Sequence, residues 1–193
     1  MPRRYFELSD DLHIPGRWEL GVPMDEHEEK VWTWLFRRGE LADIKGQLRV
    51  PLYGPGKPLD FSLAGAAVPI VHAKVAFILK KLAPADVQLI PVEVESQTES
   101  YFILNTLRVV KCINDAACEE VKYWRPEDGQ PELVGEYRVV SGMRIEPSLS
   151  EGAHLFRPWG WPVALVVSED IKNALERVGT TGTRFEDVTG PGA

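Results

Sequence analysis

The sequence has little of what secreted and membrane proteins need. Its 193 residues contain two cysteines, Cys112 and Cys118, without a CxxC pair or a Cys/His cluster. Such a chain has no disulfide framework, and reduced thiols are typical of a cytosolic protein. The arginines near the N-terminus are not followed by an apolar stretch, and the longest apolar run, 68–82, is interrupted by Pro69 and several basic residues. We therefore expect neither a signal peptide nor a membrane span, and we predict a cytoplasmic location.

Motifs for common chemistry are also missing. The segment Gly54–Pro58 shares only a Gly-Lys pair with a phosphate-binding P-loop, because proline stands where that loop requires serine or threonine. The four histidines are far apart and show no zinc spacing. We therefore expect no cofactor, no metal and no enzyme activity. A hydrolase site assembled in space from His72 or Cys112 and a carboxylate is the alternative.

The composition and the apolar patterning indicate a globular chain of the α+β class. The hydrophobic fraction is 44% and the charged fraction is 26%, as in ordinary globular proteins. Apolar spacing predicts a helix over 69–82, and Ser168, followed by two acidic residues, predicts a second helix that ends before Gly179. The β-rich runs 87–95 and 101–111 predict a hairpin. The predicted fold is a mixed, mostly antiparallel sheet with two main helices and an irregular, β-rich N-terminal part.

The length of the chain predicts one domain over residues 1–193. We expect an irregular N-terminal lobe over 1–65 and a main core over 66–193. Residues 61–110 are rich in apolar side chains and carry four basic and four acidic residues, so this neutral segment is predicted to form the core. Within the lobe, Trp32 and Trp34 alternate with their neighbours and would share one face of an extended segment.

Two features of the sequence favour a binding surface. The net charge is −7, from 29 acidic and 22 basic residues, which disfavours nucleic acid as a ligand and favours a basic protein partner. Two tryptophans surround a glycine in the segment 158–162, and tryptophan is frequent at the energetic centres of interfaces. Solvated surface for the acids and core packing for the tryptophans are the alternatives. The candidate partner-binding residues are Asp25, Glu26, Glu28, Glu29, Glu93, Glu95, Trp159 and Trp161.

A set of short motifs is spread over nearly the whole chain. They are Tyr5–Leu8, Leu59–Phe61, Tyr101–Asn105 running into Arg108–Val110, Leu155–Arg157, Val167–Glu169, Ala174–Glu176, and Gly179–Thr183 with Phe185. On these motifs the sequence resembles a bacterial family first catalogued as a domain of unknown function and later classed among the immunity proteins of polymorphic toxin systems. Members often carry an aspartate and a serine around the positions of Asp115 and Cys118, so the cysteine is a departure. The family offers no catalytic motif.

The resemblance implies an antidote that stays in the cytoplasm. Such a protein binds the toxic domain of a cognate effector and blocks its active site or its substrate groove. The acidity fits a toxin with a basic surface, such as a nuclease, because nucleases need positive charge to hold phosphates. We therefore predict an immunity protein that contacts neither nucleic acid nor membrane. A generic protein-interaction scaffold and a small hydrolase are the alternatives, and the oligomeric state is left open.

Overall fold

The structure is a computed structural model that describes residues 3–190, so the ends of the predicted domain, 1–2 and 191–193, lie outside the described residues. The strands are β1 (Tyr5–Asp10), β2 (Glu19–Leu20), β3 (Leu48–Val50), β4 (Leu52–Gly54), β5 (Phe61–Ala64), β6 (Val68–His72), β7 (Val87–Val94), β8 (Tyr101–Thr106), β9 (Val109–Val110), β10 (Glu120–Tyr123), β11 (Tyr137–Ser141), β12 (Leu155–Pro158), β13 (Val166–Ser168) and β14 (Thr183–Asp187). The α-helices are α1 (Ala73–Leu82) and α2 (Glu169–Arg177). The 3₁₀ helices span Thr33–Arg37, Asp115–Ala117, Pro126–Asp128, Pro131–Leu133 and Pro147–Ser150.

The strands form two larger sheets and two small ones. The first sheet has the order β14–β1–β13–β12–β9, and the second has the order β3–β7–β8–β6–β5. The pairs β9–β12 and β3–β7 are parallel, and the other pairs within these sheets are antiparallel. The small sheets are β2–β4 and β10–β11. Mixed, mostly antiparallel sheets with two main helices and a β-rich N-terminal part confirm the predicted fold class.

Both helices and both large sheets contribute to one central apolar cluster. Helix α1 packs on the second sheet, α2 packs on the first sheet, and the two helices touch each other. Each of the larger side chains in the cluster contributes about 1.5–3 kcal/mol by burial. The buried members are Phe6, Leu8, Phe61, Val71, Val75, Ala76, Leu79, Ala83, Val87, Leu104, Leu155, Leu165, Val167, Ile171 and Leu175. No helix within residues 3–190 is long and apolar enough to cross a membrane.

The opposite face of each large sheet carries its own apolar cluster, because side chains alternate along a strand. In β8, Leu104 joins the central cluster while Ile103 packs with Trp18 on the other face. In β1, Phe6 joins the central cluster while Tyr5 packs with Phe156 on the other face. Both sheets therefore carry apolar clusters on two faces, although the second half of β7 leaves Pro91 and Glu93 exposed.

The second predicted helix is confirmed as α2. Ser168 is its N-cap residue, although its hydroxyl lies 3.0 Å from Nδ1 of His154 and does not bond to the helix. Gly179 has a φ of +63° just after the helix ends, a conformation that glycine adopts without strain. The chain therefore leaves the helix where the sequence predicts.

The predicted start of the first helix at residue 69 is wrong. Residues 68–72 form β6, in which Ile70 and Val71 pair with β8, and α1 begins at Ala73. The β-branched side chains of this run favour a buried strand, and periodicity alone does not separate a buried strand from a buried helix. His72 caps the helix instead, because its Nδ1 accepts the backbone N–H of Lys74 at 3.2 Å.

Candidate partner-binding surface

The loop with residues 25–29 is a compact turn held by Asp25. Oδ1 of Asp25 accepts hydrogen bonds from the backbone N–H groups two and four positions further along, at 2.8 and 3.0 Å. Backbone hydrogen bonds between Met24 and Arg49 fix the start of the loop to β3. Asp25 is therefore a structural residue of the turn as well as a source of negative charge. The exposed acidic side chains of the loop are Glu26, Glu28 and Glu29.

Parallel pairing of β3 with β7 brings a strand carboxylate beside this loop. Arg49 in β3 is in register with Glu93 in β7, and Nη2 of Arg49 lies 3.5 Å from Oε1 of Glu28. A shallow groove of about 240 Å³ lies between them. It is lined by Asp25, Glu26, Glu28, Gln47, Arg49 and Glu93.

A second shallow groove of about 340 Å³ continues from Arg49 and Glu93 to residues 94–97 and adds Glu95. We call the residues that line these two grooves the acidic groove. Five carboxylates there face one guanidinium. The exposed pair of Glu28 and Arg49 adds little stability, since such pairs contribute at most about 1 kcal/mol. What the arrangement supplies is a negative field that attracts a basic partner.

The carboxylates of the acidic groove do not all have the same role. Oε2 of Glu95 accepts the backbone N–H of Leu52 at 2.8 Å and so ties the end of β7 to β4. Glu95 and Asp25 therefore hold backbone in place. The side chains of Glu26 and Glu93, by contrast, are exposed, and the nearest basic group to the carboxylate of Glu26 is Nε2 of the exposed His27 at 3.6 Å, which makes both residues suitable for substitution.

The two predicted tryptophan anchors lie on the first sheet, away from the acidic groove. Trp159 is 39% exposed, and Nζ of Lys111 lies 4.7 Å from the centre of its ring. Trp161 packs against the cluster of Tyr5 and Phe156 on the same sheet. Trp159 is therefore partly exposed to solvent, whereas Trp161 packs against the core, and the role of both in partner binding stays a prediction.

A second pair of tryptophans is more exposed than the predicted one. Trp32 is 70% exposed, Trp34 is 46% exposed, and their rings meet edge to face at 6.1 Å. The segment is not extended, because a 3₁₀ helix begins at Thr33 and buries Phe36 in the cluster around Trp18. Their position directly after the acidic loop was the signal available in the sequence.

The residues of the hydrolase alternative, His72 and Cys112, occupy positions where they serve the fold. Cys112 is 1% exposed, and burial raises the pKa of its thiol to about 12, so the reactive thiolate is not populated at neutral pH. His72 caps α1, and its Nε2 lies 3.3 Å from Glu99. Within residues 3–190, no group of three or more His, Cys, Asp and Glu side chains is placed to hold a metal ion.

The turn around Asp115 and Cys118 has a polar structural role. The hydroxyl of Tyr137 donates to Asp115 at 2.7 Å, and that of Tyr123 donates to the same carboxylate. Burial and the bond to Asp115 raise the pKa of Tyr137. Sγ of Cys118 accepts the backbone N–H of Arg144 at 3.3 Å, a bond that a serine hydroxyl also accepts.

Comparison with known families supports the resemblance to immunity proteins that the sequence motifs indicate. The family model described as "Immunity protein family (Imm11)" matches residues 74–190, more than half of the chain. The matched range contains the hairpin β7–β8 and helix α2 and excludes the loop with residues 25–29. It also excludes the motifs Tyr5–Leu8 and Leu59–Phe61. A comparison with curated proteins finds no match. The chain belongs to the Imm11 immunity protein family.

Proposed function

We propose that this protein binds the toxic domain of a cognate bacterial toxin in the cytoplasm and neutralises it without catalysis. Membership of an immunity protein family supports a toxin partner. The acidic groove is the observation that carries the proposal for the contact surface. It combines an exposed acidic loop with the carboxylates of a neighbouring strand at one sheet edge.

The charge of the groove favours a toxin with a basic face. Five carboxylates against one guanidinium attract lysine and arginine side chains and accelerate association with them. Nucleases carry such basic faces because they bind phosphates. A nuclease domain whose substrate groove is covered by this surface is therefore the proposed target.

Trp32 and Trp34 follow the acidic loop closely in the chain and supply exposed aromatic surface. Exposed tryptophans are costly to solvate and are enriched among the residues that dominate binding energy. Charged rims steer association, and buried aromatic anchors slow dissociation. We propose that the toxin contacts both features, with the Trp32–Trp34 pair as the apolar anchor.

The first test is co-expression with the protein encoded by the neighbouring gene, followed by a toxicity assay and a pull-down. Rescue of growth together with a stable complex supports the antidote function. A stable complex with a neighbour that is not toxic favours the scaffold alternative. The absence of both rescue and complex with that neighbour contradicts the proposal for this gene pair.

The contact surface is tested by charge reversal. A double variant, Glu26→Lys with Glu93→Lys, leaves the backbone bonds of Asp25 and Glu95 intact. We expect association with the toxin to slow by about tenfold at low salt and the difference to shrink at high salt. The matched control is Glu132→Lys with Glu127→Lys, which changes the net charge equally in the exposed segment 126–133. Equal slowing by both double variants removes the acidic groove from the interface.

A further inference from the structure

A groove with an apolar floor lies between helix α1 and the two strands β7 and β8 on which the helix packs. Its volume is about 320 Å³, and it is lined by Ala76, Lys80, Pro84, Val87, Leu89 and Phe102. Leu89 and Phe102 pack against the central cluster but are only partly buried. Helix α1 therefore leaves part of its sheet uncovered, and we call this opening the apolar groove.

Phe77 adds a large exposed ring on the helix that borders the apolar groove. Its side chain is 70% exposed. It lies three positions before Lys80, a spacing that makes two side chains neighbours on the surface of a helix, and Lys80 itself lines the groove. An exposed aromatic ring beside an apolar opening is a surface that gains free energy when a partner removes it from water.

The apolar groove and the acidic groove lie on the same face of β7. The strand pairs in continuous register with β8 and then with β3, so its side chains alternate regularly between two faces. Leu89, Pro91 and Glu93 share one face, whereas Val92 is buried on the other. Leu89 lines the apolar groove, Glu93 lines the acidic groove, and the exposed Pro91 lies between them. Four residues of strand separate the two grooves by about 13 Å.

We propose that the two grooves form one docking surface for a toxin segment that carries lysine or arginine at one end and a large apolar side chain about 13 Å away. Since this segment belongs to the toxin, its placement rests on the proposed function. The carboxylates of the acidic groove attract the basic end, and the apolar groove buries the apolar side chain against Phe77 and Leu89. Lys80 at the apolar end repels a basic residue, so the segment binds in one orientation.

The test is the rate of association and of dissociation between the full-length protein and the toxin encoded by the neighbouring gene. Phe77→Gln removes the ring at an exposed position, where the variant is expected to fold. We expect its complex to dissociate about tenfold faster, with association changed by less than about twofold, because the loss of an apolar anchor acts mainly on dissociation. Leu89→Thr, in the floor of the groove, is a second variant with the same expected direction. Leu12→Gln is the matched control, because Leu12 is 71% exposed in the turn after β1.

The kinetic results separate the shared docking surface from the proposed function. Faster dissociation of Phe77→Gln and Leu89→Thr, with unchanged rates for Leu12→Gln, supports the shared surface. Wild-type rates in both groove variants overturn it and leave the toxin-binding function intact, whereas no complex with the wild type overturns both. Light scattering of the protein without toxin tests the other occupant. A wild-type dimer that Phe77→Gln converts to monomers would assign the apolar groove to a second copy of this chain and overturn the proposal.

Discussion

Asp60 and Thr181, which are 121 positions apart, join the two large sheets through a reciprocal set of hydrogen bonds. Oδ2 of Asp60 accepts both the backbone N–H of Thr181 at 2.8 Å and its hydroxyl at 2.7 Å. The backbone N–H of Asp60 donates to the same threonine oxygen at 3.1 Å. Asp60 precedes β5 in the second sheet, and Thr181 precedes β14 in the first. Two motifs on which the family resemblance rests, Leu59–Phe61 and Gly179–Thr183, therefore contact each other in the fold.

We expect Asp60→Asn to lower the free energy of unfolding by about 1–3 kcal/mol at pH 7, because it removes a partly buried charged acceptor. Burial alone would raise the pKa of Asp60, but hydrogen bonds from Lys74 and Thr181 outweigh it and hold the pKa below its ordinary value of 3.8. The stabilisation is therefore present above pH 3.8 and is lost as the pH falls through the lower, folded-state pKa.

Urea unfolding at pH 7 and at about pH 2 measures this dependence. The difference between the wild type and Asp60→Asn shrinks at the acidic pH. Asp43→Asn is the control, because Asp43 is exposed, and it is expected to change stability by less than about 0.5 kcal/mol. A difference of equal size at both pH values would show that the carboxylate charge is not the source of the effect.

Gly182 lies next to Thr181 in this contact, and the space around it admits no side chain. Its φ is +87°, and a Cβ there would lie 2.1 Å from the carbonyl oxygen of Phe61. Gly179 has a similar φ of +63° with open space around a Cβ. We expect Gly179→Ala to cost about 1 kcal/mol, and Gly182→Ala to cost about 3 kcal/mol or more. Thermal unfolding of both variants is the measurement, and equal losses would contradict the close approach.

The elements that the sequence predicts correctly are those with local signals. The hairpin β7–β8 has two β-rich runs around a polar linker, and α2 has a capping serine, first-turn acids and a terminal glycine. The predicted second run of the hairpin, 101–111, is too long, because β8 ends at Thr106 and β9 pairs with β12 in the first sheet. The place of β1 between β14 and β13 depends instead on its register with these strands, between residues more than 150 positions apart. No local pattern encodes that pairing, because the same alternation fits many partners.

The candidate surface is predictable in parts and not as a whole. The acidic loop and Glu93 are visible in the sequence as separate clusters of charge. Their convergence follows from the parallel pairing of β3 with β7, which sets Arg49 opposite Glu93.

The position of Glu7 lowers the stability of the folded protein at neutral pH. It is in register with Glu186 of β14, and burial and then the charge of Glu186 raise its pKa above the ordinary value of 4.5. A raised folded-state pKa means that the destabilisation grows as the pH rises through 4.5 and is complete above the folded-state pKa. We therefore expect Glu7→Gln to raise the free energy of unfolding by about 0.5–1 kcal/mol at pH 7.

Glu7→Gln is expected to give no gain in the free energy of unfolding at about pH 3, where the protonated Glu7 of the wild type is as neutral as the glutamine that replaces it. Glu186→Gln is the matched variant. It relieves the repulsion but leaves Glu7 buried and charged, so its gain is smaller. The double variant is expected to gain less than the sum of the single variants, since the two residues share one interaction. A gain that does not change between pH 3 and pH 7 would contradict the electrostatic origin.

The two tryptophans around Gly160 are expected to respond differently to truncation. Trp161 is partly buried and packs against the core cluster of the first sheet, so Trp161→Ala removes part of that packing and lowers the free energy of unfolding by about 2 kcal/mol. Trp159 is partly exposed beside Lys111, so Trp159→Ala is expected to cost about 1 kcal/mol or less. If Trp159 is a toxin anchor, its loss weakens binding by about 2 kcal/mol, or roughly thirtyfold in Kd. Calorimetric titration of the folded variant with the toxin measures this change, and an unchanged Kd would remove Trp159 from the interface while leaving the acidic groove to be tested separately.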